Sequence, residues 1–178
     1  DKTTGLKIQW EVIQYLNFPA YESILYFENS SSNNTPLIEN IQGLVFSFAN
    51  PPFKLYRTNG GLANPADYET QIIPIELNSG EVIDTVDGCS SRKYLPFFKL
   101  EAADYSAIIG IGWTGRWRVE LRRSNENSIT LTAGMETTRF ELFPGEKVRS
   151  PRIIILIKEG DTWESNNLFR QLIYKYYV

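Results

Sequence analysis

Histidine is absent from this 178-residue chain, and cysteine and methionine occur once each. Without imidazole the usual zinc ligands, general bases and proton shuttles are missing, so neither a Ser-His-Asp nor a Cys-His arrangement can be assembled. The lone Cys89 excludes an internal disulfide framework. As a nucleophile it would need some other activating base, and the plainer reading of a single cysteine is a small buried hydrophobe. No apolar run approaches the roughly 18 residues of a membrane-spanning helix, and the opening Asp1-Lys2-Thr3-Thr4 has no signal-peptide character. Lys and Arg never run beyond a pair, and 18 basic against 21 acidic residues leave a net charge of -3. That balance provides no electrostatic footprint for nucleic acid or an anionic membrane. Low cysteine use is compatible with a periplasmic or secreted bacterial protein as well as a cytosolic one, and the former is favoured here over the cytoplasm.

What the chain does contain is core-forming material: 42% hydrophobic and 13% aromatic residues, enough for one domain with a substantial interior. Most of it follows a period of two. Leu6, Ile8 and Trp10 alternate with polar neighbours, and 24–28 and 43–48 are short β-branched or aromatic runs. The polar stretch Asn29 to Pro36 predicts a hairpin or longer surface connection. Its Asn29-Ser30-Ser31 and Asn33-Asn34-Thr35 match the glycosylation sequon as loop composition. Asn50-Pro51-Pro52 ends a strand, Lys54 to Arg57 resumes the sheet, Asn59-Gly60-Gly61 turns, and Gln71 to Leu77, interrupted by Pro74, predicts an edge strand.

Trp117, Val119 and Leu121 share one face of a strand while Arg116, Arg118, Glu120 and Arg122 share the other. After the turn Ser124 to Asn127, Ile129, Leu131 and Ala133 return, so residues 116–134 predict a hairpin. Phe140 and Leu142 alternate ahead of the turn Pro144-Gly145-Glu146. Ile153 to Ile157 is a continuous apolar run, as expected of a strand covered on both faces. The period changes only near the end. Leu168, Phe169, Leu172, Ile173 and Tyr176 follow helical spacing, with Asp161 and Ser165 as caps. Many strands, one terminal helix and no βαβ alternation predict an all-β fold, an antiparallel β-sandwich over 1–164 with a helix over 165–178.

The segment from Cys89 to Thr138 holds several distinctive words in one order: Cys89-Ser90-Ser91, Leu95-Pro96-Phe97-Phe98, Ile111-Gly112-Trp113-Thr114-Gly115-Arg116-Trp117 and Ala133-Gly134-Met135-Glu136-Thr137-Thr138. With Phe143-Pro144-Gly145-Glu146, Ser150-Pro151 and Asn167-Leu168-Phe169-Arg170, this order resembles the non-catalytic N-terminal region of family 36 glycoside hydrolases, the α-galactosidases and their relatives. The resemblance covers roughly residues 85–178 and is loose before that. It implies a supersandwich preceding a β/α barrel that carries the nucleophile and acid/base carboxylates, with the terminal helix leading toward that barrel. It implies no metal and no organic cofactor. The implied partner is the catalytic barrel of the same parent chain, with carbohydrate and a second copy of the chain as further candidates.

Three side chains are candidates for carbohydrate or a domain interface. Trp113 and Trp117 could offer indole faces to a sugar ring while Arg116 donates hydrogen bonds. The alternative is core packing, which the phase of Trp117 with Val119 and Leu121 favours, whereas Trp113 stands open between the two. Arg118, Arg122 and Arg123 interleave with Glu120 and Glu126, which points to a solvated sheet face and away from an anion patch. Asp84, Asp87 and Glu136 are the carboxylates best placed by motif for glycosidic acid/base work, and structural roles are the stronger reading. Asp87-Gly88 is first a turn signal. No residue is assigned catalysis. The function expected is therefore an accessory sandwich domain of an α-galactosidase-like enzyme, with an independent carbohydrate-binding module and a structural interaction domain as alternatives.

Overall fold

A computed structural model describes residues 1–178 except Lys2 and Asp161, with Thr162 described by its backbone alone. The expected cap Asp161 therefore lies outside the described residues. The first strands are β1 (Leu6–Tyr15), β2 (Ala20–Asn29), β3 (Ile38–Glu39), β4 (Gln42–Ala49), β5 (Phe53–Asn59), β6 (Thr70–Ile75) and β7 (Ser79–Asp84). They continue as β8 (Tyr94–Glu101), β9 (Tyr105–Gly112), β10 (Trp117–Arg123), β11 (Ser128–Met135), β12 (Arg139–Phe140), β13 (Lys147–Arg149) and β14 (Arg152–Glu159), followed by the helix α1 (Thr162–Tyr176).

Alternation along these strands builds two principal sheets. The larger has eight strands in the order β1-β2-β14-β9-β8-β5-β6, with β13 paired to β2; the smaller has four, β4-β11-β10-β7. Every pairing is antiparallel. Leu55, Leu100, Ile109 and Ile153 of the large sheet meet Val119, Leu121, Ile129 and Leu131 of the small one in the main core. This is the expected antiparallel sandwich, and the 116–134 hairpin is β10–β11, in register Val119↔Ala133 and Leu121↔Leu131. Gln71 to Ile75 falls in β6, which is indeed an edge. Strands β7, β8 and β9 have no counterpart among the expected strands; β9 is buried nearly throughout, so alternation had no polar residues to reveal it.

The outer face of the large sheet is covered by α1. Tyr15, Ala20, Ile154, Leu156 and Leu172 form a second cluster, joined by Leu168, Phe169 and Ile173. The run in β14 is explained by this arrangement: Ile153 and Ile155 enter the inter-sheet core, while Ile154 enters the cluster under the helix. The helix starts at Thr162, three residues ahead of the expected 165, and stops at Tyr176. Ser165 accordingly does not cap it. Ser165 is buried inside the first turns and accepts a hydrogen bond from the Ser106 hydroxyl of β9 at 2.8 Å, which ties helix to sheet.

The Asn29–Pro36 connection is held by its first residue. Asn29 is buried, its Nδ2 donates to the carbonyls of Asn33 and Leu142 at 2.7 and 2.8 Å, and its Oδ1 accepts from Ser31. That side chain is spent on loop construction.

Candidate functional site

The Trp113–Trp117 segment is where the chain crosses between sheets, leaving β9 of the large sheet and entering β10 of the small one. Trp113 is half-buried and packs against the main core, with the Arg149 guanidinium 5.6 Å from its ring centroid. A Cβ on Gly115 would stand 3.0 Å from the Trp113 indole nitrogen, so the glycine lets the indole fold back over the crossover. Arg116 is exposed and pairs with Glu136, whose N–H also bonds the Arg116 carbonyl at 3.3 Å.

Trp117 takes the core position that its phase with Val119 and Leu121 favours. It is 0% exposed, and its indole N–H donates to the Ser90 carbonyl at 2.8 Å, so it offers no face to a ligand. The strand alternation that placed it beside Val119 and Leu121 also places it beneath the large sheet. Of the three candidates, Trp113 and Arg116 remain at the surface and Trp117 is core.

The Ser90 carbonyl belongs to a loop built on the Asp87-Gly88 turn, where both residues have positive φ, 56° and 68°. The Thr85 hydroxyl bonds the Cys89 carbonyl within it. Cys89 itself is exposed, not buried as expected, because it rides on this turn instead of a strand face. Each motif carboxylate has a cation: Asp84 meets Lys93 at 2.5 Å, Asp87 meets Arg92 at 3.4 Å, and Glu136 meets Arg116. Arg122 pairs with Glu120 at 2.5 Å on the solvated face. Arg123 departs from that reading: half-buried, it donates to the Ile75 carbonyl at 2.9 Å and bridges the two sheets. Among the described residues no group of three or more His, Cys, Asp or Glu could hold a metal ion, and no helix is long and apolar enough to cross a membrane.

A second cleft, with no signal in the sequence, lies on the outer face beside α1. Tyr56, Thr58, Thr70, Phe97 and Lys99 form its floor, Phe169 its wall, and its volume is about 310 Å³. Lys99 is buried with its ammonium 4.2 Å from the Tyr56 ring centroid. Burial, and then the hydrogen bond from Tyr56 to Glu101 at 2.9 Å, hold the Tyr56 phenol above its ordinary pKa. These residues come from β5, β6 and β8, distant in sequence; only sheet order brings them together.

No protein-family model and no curated protein matches this sequence. Solved structures do. The α-galactosidase from Lactobacillus brevis superposes with a TM-score of 0.83 at 13% identity, over 97% of this chain and 24% of its own. The fold is shared with α-galactosidases. The GH36 α-galactosidase AgaA from Geobacillus stearothermophilus matches at a TM-score of 0.76 and 14% identity, over 89% of this chain and 23% of its own. The galactosidase domain of the α-galactosidase-sucrose kinase AgaSK matches at 0.73 and 19%, over 90% and 23%. The chain thus spans about a quarter of the length of the structures it matches.

Proposed function

We propose that this chain is a non-catalytic accessory domain of an α-galactosidase-like glycoside hydrolase, supporting a catalytic barrel. The supporting observation is the near-complete coverage of this fold by about a quarter of each α-galactosidase. The remaining three quarters leave room for the reacting carboxylates that retaining hydrolysis needs. The side chains here are consistent with that division: the carboxylates singled out by motif are all neutralised by cations, and there is no histidine. The barrel is the natural partner of the apolar depression at α1, lined by the exposed Phe97 and Tyr174 and the half-buried Phe169 and Ile173. Carbohydrate contact, if this domain contributes any, falls to Trp113 and Arg116.

Purified chain assayed with p-nitrophenyl α-galactoside is expected to give no turnover above buffer. Turnover that survives purification and is lost on changing Glu136 or Asp87 overturns the assignment. Calorimetric titration with galactose, melibiose and raffinose distinguishes the independent binding module, which alone predicts saturable heat.

A further inference from the structure

The cleft beside α1 is a product of strand pairing. Thr58 stands opposite Thr70, Tyr56 opposite Lys99 and Phe97 opposite Gly110, so these side chains share the outer face of the large sheet. The β5–β8 register shifts between Arg57 and Asn59, and the regular ladder breaks at Thr58. Gly110 has no side chain, and a Cβ there would stand 3.2 Å from the Phe97 ring, so that ring leans across the glycine. It meets Phe169 of the helix edge to face, with centroids 5.8 Å apart. Together the two rings separate the cleft, about 310 Å³ in volume, from the apolar depression that runs to Ile173 and Tyr174.

The polar groups of the cleft all favour an acceptor. Lys99 lines it and is 6% exposed, bringing an ammonium with three N–H donors against the Tyr56 ring at 4.2 Å. The Thr58 and Thr70 hydroxyls lie 3.0 Å apart, so one donates to the other and the second proton of the pair points elsewhere. Tyr56 contributes its ring and not its hydroxyl, because that hydroxyl donates to Glu101, which also meets Lys54 at 3.2 Å. Among the described residues Lys99 is the one charged side chain lining the cleft, and no carboxylate joins it there.

We propose that this cleft binds a small aryl monocarboxylate, its carboxylate on Lys99 and the Thr58–Thr70 hydroxyl pair and its ring against Phe97 and Phe169. Size comes first: the volume stands at the lower end of small-molecule sites, room for one ring and a short polar arm. Charge comes next. Closing the cleft over a neutral guest would take the last water from the Lys99 ammonium and return only dipoles, whereas a carboxylate returns the opposite charge. A phosphate carries more charge than one lysine matches, and it has no apolar body to place on the two rings. An aryl ring continues the edge-to-face packing that Phe97 and Phe169 begin. The site uses this chain's own side chains alone, so it stands independently of the parent enzyme proposed above.

Backbone amide shifts of the full chain, followed while sodium phenylacetate, phenylacetamide or sodium phosphate is added, test this. Phenylacetate is expected to saturate with a Kd of about 1 mM and to move the amides of Thr58, Thr70, Lys99 and Asn166. Phenylacetamide has nearly the same shape without the charge and should bind about tenfold more weakly, and phosphate should give no saturable shift. Lys99→Met keeps the length of the side chain and removes its charge, so it should weaken phenylacetate about tenfold and leave phenylacetamide unchanged. Thr70→Val, at an exposed position, should weaken phenylacetate about threefold. Circular dichroism melts check both folds, and the comparison of acid with amide decides the matter even if Lys99→Met does not fold. No saturable shift up to about 20 mM phenylacetate overturns the proposal. So do equal binding of acid and amide, saturation by phosphate, indifference to a folded Lys99→Met, or shifts centred elsewhere on the molecule.

Discussion

Trp10 and Trp117 sit on strands with equally clean alternation, yet Trp10 is 66% exposed and Trp117 is 0% exposed. The difference lies in strand order. Strand β10 is interior to the small sheet, between β11 and β7, and faces the large sheet across the core. Strand β1 is the last strand of a sheet wider than its partner, so its apolar face has no opposing layer. A period of two tells which residues share a face; only the width of the opposite sheet decides whether that face is covered.

The comparison is broken most directly by truncating each ring. Trp117→Ala removes a fully buried indole and leaves the Ser90 carbonyl without its donor, and should destabilise the fold by about 3–5 kcal/mol. Trp10→Ala should cost under about 1 kcal/mol in the monomer. Urea unfolding at low protein concentration measures both. Equal losses would mean that the mouth of the sandwich is closed in solution by something beyond this chain.

The same contrast can be drawn on the outer face. Leu172 is completely buried under α1, and Leu172→Ala should cost about 2–4 kcal/mol. Leu16, in the turn after β1, is almost fully exposed, and Leu16→Ala should stay within about 0.5 kcal/mol. Thermal melts of the pair test whether the helix is integral to the domain. A neutral Leu172→Ala would show that the helix adds little to the isolated chain.

This separation marks what could be read from residues alone. The β10–β11 hairpin, the run in β14 and the helical stripe from Leu168 to Ile173 were legible because each pattern reports its own local burial. The sandwich class followed from them. The outer-face cleft was not legible, because Tyr56, Thr70 and Lys99 meet only through sheet order. Cys89 was misread because turn residues carry no periodic signal, and Ser165 because a helical serine beside a sheet bonds across the interface instead of capping. Trp113 was left open between a sugar platform and core packing and is half-buried against the main core, while Arg116 is exposed; nothing local distinguishes a sugar platform from a crossover.

Where β1 meets the C-terminus, the edge strand is anchored, and pH probes that anchor. The buried Glu22 carboxylate accepts from the Tyr15 hydroxyl at 3.0 Å and from the Tyr177 hydroxyl, and Arg152 lies 3.2 Å away. Burial first, and then hydrogen bonding to Glu22, push the Tyr177 phenol above its ordinary value; burial dominates the upward shift of Tyr15. Because the folded phenols hold their protons to higher pH than the unfolded ones, their contribution is complete below about pH 10, the unfolded value, and is lost as pH rises toward the folded values. Stability should therefore fall above about pH 10, and Tyr177→Phe should flatten that fall. Absorbance titration of tyrosinate alongside denaturant melts checks it; a pH dependence unchanged in Tyr177→Phe would rule the anchor out.

Trp113 lies between the two extremes and gives the smallest effect. Its ring is only partly buried, so Trp113→Ala should cost about 1–2 kcal/mol, in proportion to the apolar area it buries. Losing the ring also frees Arg149, which now stacks over it. If the exposed part serves a sugar, Trp113→Ala should weaken binding of galactose or melibiose while the melting curve moves little. The Arg116→Ala variant, whose exposed side chain pairs with Glu136, should then weaken binding without any matching loss of stability. Loss of stability in Trp113→Ala with no sugar heat in either protein would leave the crossover a purely structural corner, and would rank Trp10, Trp113 and Trp117 by burial alone.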